Sequence, residues 1–177
     1  MSPDELPGLL RAIRDRAADA APECVMAMAD TYRDHVAHVT LQRYTNAPFS
    51  KTPSPEGQPP ARISGELAGS VRSHLGPSSG TIARASTAPH TVYARIQEVG
   101  GDISVKTRKH LKWLTNYPTS ATAFWKSARE GDGLFLNFAR SVHLPERPYM
   151  RPAAVETVAD GSLTRAAMRA FMARVWG

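Results

Sequence analysis

Four side chains in one helical stretch, Asp30, Asp34, His35 and His38, are of types that hold metal ions. His35 and His38 are three apart and can share a helix face, as helical ligands often do. No second stretch supplies a matching pair, and the spacing is not that of H-E-x-x-H. The four read as a solvated face, and neither a metal nor another cofactor is expected. Glu98 and Asp102 are carboxylates four apart, a pairing that acid–base chemistry could use. Gly100 and Gly101 lie between them, so nothing puts the two on one face, and a turn carboxylate is the plainer reading. The single cysteine, Cys24, cannot close an internal disulfide and sits in an apolar helical pattern, as a buried inert thiol would. The serines and histidines are scattered without a local nucleophile–base signature. The chain is expected not to be an enzyme.

The formal charge of +6 suits an acidic partner. Its densest part is the run Lys106, Arg108, Lys109, His110 and Lys112. Were it to face DNA, the chain would be a basic nucleic-acid-binding module, which is the alternative function. Leu111, Trp113 and Leu114 interrupt the run with strand-like spacing, which favours a solvated sheet face or hairpin. No apolar run approaches a membrane span, and Asp4 and Glu5 stand where a secretory leader would be basic. A cytoplasmic site of synthesis is expected.

The elements that would position these groups centre on Tyr93 to Gly101, Y-A-R-I-Q-E-V-G-G. The double glycine marks a sharp reversal, and Asp102 to Val105 starts a strand. Before it, Leu6, Leu9, Leu10, Ile13, Ala17 and Ala20 recur at helical spacing. After Pro22 the period resumes with Val25, Met28, Tyr32 and Val36. This is either a short helix followed by a longer one or a single helix kinked near Ala21. Residues 45–62 lose all periodicity under Pro48, Pro53, Pro55, Pro59 and Pro60, and read as a long proline-rich arm. A short helix at Gly65–Gly69 capped by Ser64, strands at 71–75, 81–85, 110–114 and 134–142, and a hairpin-tip insertion at 116–133 follow. A proline corner at 144–152 leads to a C-terminal helix with Leu163, Ala167, Phe171 and Val175 in one stripe. The expectation is a single α+β domain over 1–177, with a mostly antiparallel sheet of about four strands. Tyr93, Trp113, Phe138 and Phe171 are its expected core.

Three short motifs, in this order, carry a resemblance. Ser64, Gly65, Leu67 and Ser70 form the first, Tyr93, Ala94, Glu98 and Gly100 the second, and Pro145, Arg147, Pro148 and Tyr149 the third. Over residues 20–176 the chain resembles the tail-completion, tail terminator-like and head–tail joining proteins of long-tailed phages. The proline-rich arm and the 116–133 insertion have no counterpart in that pattern. The resemblance implies a structural virion protein at the head-proximal end of the tail. It would form a ring, expected to be hexameric, that completes or terminates the tail tube and joins it to the head connector while leaving a DNA passage. Its partners would be copies of itself, the tail tube protein, a head connector, adaptor or stopper protein, and DNA in the lumen. The segments available for such contacts make Pro48, Phe49, Pro53, Pro59, Phe124, Trp125, Arg147 and Tyr149 interface candidates. Lys106, Arg108, Lys109 and Lys112 are the candidates for facing DNA.

Overall fold

The computed structural model describes residues 6–44, 54–62, 64–78, 82–106, 111–115, 124–127 and 133–176, with only the backbone described for those between 111 and 138. The class is α+β: a long N-terminal helix, small antiparallel ladders and C-terminal helices.

Helix α1 runs unbroken from Leu6 to His38 with Pro22 inside it. Proline there removes one ladder bond, and the helix continues because packing on both sides of that turn supports it. A short 3₁₀ turn, Thr40–Gln42, ends the helical run. Helix α2 (Glu66–Ser70) follows Gly65, which takes φ 80°, and the Ser64 hydroxyl accepts the Glu66 N–H at 3.2 Å.

Strands β1 (Val71–Leu75) and β2 (Ala85–Pro89) pair antiparallel from Val71 opposite Pro89 to Leu75 opposite Ala85. The second strand thus begins where sequence reading ends it. Its more buried side chains are Ala85, Thr87 and Pro89, a set without large apolar residues, so apolar alternation misses it. Ser73 and Thr87 both donate their hydroxyls to the Ala29 carbonyl of α1, at 3.0 and 3.2 Å.

Helix α3 (Ala94–Val99) leads into β3 (Gly101–Ser104), which pairs antiparallel with β7 (Ser141–Leu144). A third ladder has the order β4 (Leu111–Thr115), β6 (Gly133–Ala139), β5 (Phe124–Ser127). The expected strand at 134–142 is therefore divided at Arg140 between two ladders. Part of the expected 116–133 insertion is strand β5.

Helices α4 (Met150–Ala159) and α5 (Ser162–Trp176) close the chain. Between them Gly161 takes φ 70°, and the Asp160 carboxylate caps α5 by accepting the Ser162 N–H at 2.7 Å. Helix α5 packs on α1 extensively. The Arg16 guanidinium reaches the Val175 carbonyl, and Arg174 lies 3.7 Å from Glu23. Leu163, at the other end of α5, shares a groove with Val25 and Met28, so the two helices run antiparallel.

The core is Val36, Leu41, Val71, Tyr149 and Ala153, all buried, with Tyr32, Leu67, Ala68 and Met150 against it. Two expected core aromatics, Tyr93 and Phe171, are only partly buried. The side chains of the other two, Trp113 and Phe138, lie outside the described residues.

Glu156 on α4 ties the helices together at their edge. It accepts from Arg43 and contacts His35 Nε2 at 2.9 Å. These bonds, Arg43 first, hold its carboxyl below the ordinary 4.5. A depressed carboxylate stabilises the fold fully above its unfolded value and loses that contribution as pH falls through the folded one. Melting of wild type and Glu156→Gln should therefore differ most near neutrality and converge as pH drops below about 4. A gap that stays constant to pH 3 would refute this role.

Candidate functional site: a capped corner and its adjoining cleft

The second and third motifs of the sequence meet in one clasp. Glu98 extends from α3 to the first turn of α4, a residue 51 positions later. Its Oε2 accepts the N–H groups of Tyr149 and Met150 at 2.7 and 3.0 Å, and its Oε1 accepts that of Arg151 at 3.1 Å. The first N–H groups of a helix have no partner within it, and the helix dipole favours negative charge there. Here a carboxylate from another element supplies both needs, through charge-assisted bonds. No side chain local to α4 caps it.

The corner is fastened at further points. The Arg147 N–H donates to the Gln97 carbonyl at 2.7 Å, and the Tyr149 hydroxyl donates to that of Ala94 at 3.3 Å. The Tyr32 hydroxyl donates to the Met150 carbonyl at 2.7 Å. Tyr149 is fully buried. Burial, and then the negative charge of Glu98, push the Tyr149 hydroxyl well above its ordinary value and that of Tyr32 up to about 12. Both phenols stay neutral and act as packing with one hydrogen-bonding end.

Gly100 turns the chain beside this corner with φ 64°. A Cβ there would lie 2.8 Å from the Glu146 nitrogen and 2.9 Å from the Leu144 oxygen, both backbone atoms. Only glycine fits, for conformation and for space. Gly100→Ala should cost about 2–4 kcal/mol, combining left-handed strain with a backbone clash. Chemical denaturation would measure it, and a loss under about 1 kcal/mol would show that the corner yields.

The described part of the proline-rich arm, residues 54–62, is built into the same corner. Gly57 donates its N–H to the Glu146 carbonyl at 3.0 Å, and Arg147 Nε donates to the Ser54 carbonyl at 3.2 Å. Arg62 donates its N–H to the Tyr44 carbonyl at 2.7 Å, and the Tyr44 hydroxyl bonds Gln58.

Beside the clasp lies a cleft of about 330 Å³ between the arm, α2 and α3. Arg62, Ser64, Glu66, Leu67, Tyr93 and Gln97 are among the residues that line it. Burial, then Glu66, raise the Tyr93 hydroxyl. Neither histidine nor cysteine is among its lining residues. The cleft offers an apolar floor with a few polar groups, suited to receiving a side chain or loop.

The predicted site residues are placed as follows. Tyr149 and Pro59 are buried within the chain, and Arg147 is bonded to it, so these three interface candidates hold the fold instead of offering surface. Pro48, Phe49 and Pro53 lie outside the described residues, as do the side chains of Phe124 and Trp125. Of the basic run, Lys106 is exposed, Arg108 and Lys109 are outside the described residues, and Lys112 is described only by its backbone on β4. Asp30 and Asp34 both pair with Arg33, at 2.7 and 2.9 Å, while His35 turns to Glu156. Among the described residues no group of three or more histidine, cysteine or acidic side chains could hold a metal. Asp102 faces His143 across β3 and β7 at 2.9 Å, both well exposed, and so is not coupled to Glu98. Burial and Glu23 raise the Cys24 thiol, which disfavours the reactive thiolate.

Fold and site together define an α+β domain organised by a carboxylate-capped corner. Compared with known proteins, the chain matches no family model, no curated protein and no solved structure.

Proposed function

We propose that this chain is a structural assembly protein of the phage neck or tail end. In this reading copies of it form a ring at the head-proximal end of the tail tube, complete or terminate the tube and meet the head connector. DNA would pass through the lumen.

What supports the reading is the clasp itself. The resemblance rests on short motifs whose order and spacing matter more than any one of them. Two of those motifs, Tyr93–Gly100 and Pro145–Tyr149, are joined here by Glu98, Gly100 and the Tyr149 ring. The residues shared with the family pattern thus act together to fix α4 on α3. The first motif, Ser64 to Ser70, forms α2, whose Leu67 and Ala68 pack against the same core. A chain whose recurring residues build a scaffold fits work done by shape and adhesion. The exposed apolar side chains Val155, Val158, Met168 and Trp176, each more than half accessible, suit a surface that partners complete.

Fractionation of phage particles tests the proposal. The chain should copurify with virions and with free tails, and should be lacking in free heads. Its absence from both particles would remove the proposal. DNA retention on filters at low salt addresses the alternative: tight binding that falls steeply with salt, by a chain not found in virions, would favour a nucleic-acid-binding module.

A further inference from the structure

Arg62 stands between two recesses of unlike chemistry. One is the cleft already described, with Leu41, Pro60 and Leu67 among its apolar lining. The other, of about 290 Å³, lies between the end of α1, α2 and the start of β1. Arg62, Gly65 and Ala68 line both, so the two recesses share a wall. The charged side chains of the second are Arg33, Asp34, Arg62 and Arg72, with His38 beside them.

The bonding of these groups decides the charge of the recess. Arg33 is satisfied within its own helix, where it donates to Asp30 and Asp34, so that Arg33 and Asp34 cancel. Arg62 donates to the Gln42 side-chain oxygen at 2.6 Å, and Arg72 donates to the Gly69 and Val71 carbonyls. Among the described residues Arg14, Arg33, Arg43 and Arg174 each sit against a carboxylate, while Arg62 and Arg72 do not. Neutral acceptors thus hold two guanidiniums at one recess and leave both charges uncompensated. The planar fork of a guanidinium matches an oxyanion with paired donors.

The surroundings select among oxyanions. Asp30 and Asp34 lie on the α1 side, and Glu66 lines the adjoining cleft. A nucleic-acid strand carries a phosphate at every nucleotide and would lay further charges against these acids. One carboxylate on an otherwise uncharged segment would not, and the cleft beside it suits apolar side chains. We propose that the two recesses together receive one segment of a partner protein, an acidic side chain entering the basic recess and its apolar neighbours the cleft. This deepens the candidate site and stands whether or not the chain closes a ring.

NMR titration of the full chain tests it, with the capped peptide Ser-Leu-Glu-Leu-Ser, its Glu→Gln form and its Leu→Ala form. With the first peptide the amides of Gly65, Ala68 and Gly69 and the Nε–H signals of Arg62 and Arg72 should shift together, saturating near about 1 mM. The other two should bind at least about 10-fold more weakly, one lacking the charge-assisted bonds and the other the buried apolar area. Arg72 is exposed, so Arg72→Gln should melt with wild type. It should weaken the first peptide about 10-fold and leave the Glu→Gln peptide as it was. Arg14→Gln removes the same charge about 28 Å along α1 from Arg33 and should change neither. Absence of a saturable shift, equal binding of the Glu and Gln peptides, or equal effects of Arg14→Gln and Arg72→Gln overturns the proposal. So does oligothymidylate or inorganic phosphate that shifts the same signals at lower concentration than the peptide, which would assign the recess to nucleic acid or a free anion. Self-association of the chain that Arg72→Gln abolishes overturns it too, making the occupant a second copy. The ring reading fails separately, as a chain missing from virions and tails.

Discussion

Tyr149→Ala should destabilise the protein by about 3–5 kcal/mol, the range for removing a buried aromatic ring. For a chain of this length that corresponds to a fall in melting temperature of roughly 6–20 °C. The ring is fully buried, and it sits among Val36, Leu41, Val71 and Ala153, contributed by α1, the turn after it, β1 and α4. Its loss would open one void bordered by all of them. Tyr149→Phe separates packing from hydrogen bonding. It keeps the ring and gives up the 3.3 Å bond to the Ala94 carbonyl, a loss of about 1 kcal/mol. Tyr93→Ala is the useful contrast, because Tyr93 is only partly buried and should cost less than half as much as Tyr149→Ala. Equal losses at the two tyrosines would mean that the core is centred elsewhere.

Glu98→Ala should cost about 3 kcal/mol, more than an ordinary N-cap, because three backbone donors lose a charged acceptor together. Glu98→Gln keeps an acceptor oxygen at the amide carbonyl but loses the charge and the second acceptor, and should fall between. Hydrogen exchange gives the more specific reading. The amides of Tyr149, Met150 and Arg151 should lose protection in Glu98→Ala well beyond those of α5. Asp102→Ala is the matched control: its partner His143 is about as exposed as Asp102 itself, so its removal should change stability by less than about 0.5 kcal/mol. Similar effects at Glu98 and Asp102 would refute the capping role.

Much of the fold was legible in the sequence wherever it obeys local rules. The apolar periods of residues 6–39 and 163–175 give α1 and α5, and the double glycine after Val99 gives the turn into β3. The Tyr93–Gly101 stretch does organise its surroundings. The aromatic at the centre, however, comes from the distant corner, because Tyr93 precedes α3 at the mouth of a cleft while Tyr149 points into the core. No local pattern reveals that Glu98 caps a helix 51 residues on, since such a cap depends on tertiary approach. Of the two readings open at Pro22, two helices or one, the chain takes the single helix, because helix packing outweighs one missing bond. Strand β2 escapes an apolar reading because its half-buried side chains are Ala85, Thr87 and Pro89, and the one hydroxyl among them is satisfied by α1. The arm shows no pattern in sequence because its anchors are isolated backbone and side-chain bonds to Tyr44, Glu146 and Arg147, which no period encodes.

Electron microscopy of tail tubes assembled from the cognate tube protein, with and without this chain, tests the proposed role most directly. The chain should add a ring with an open centre at one end of each tube and arrest further growth there. Tubes that keep bare ends and continue to lengthen with the folded chain in excess would contradict it.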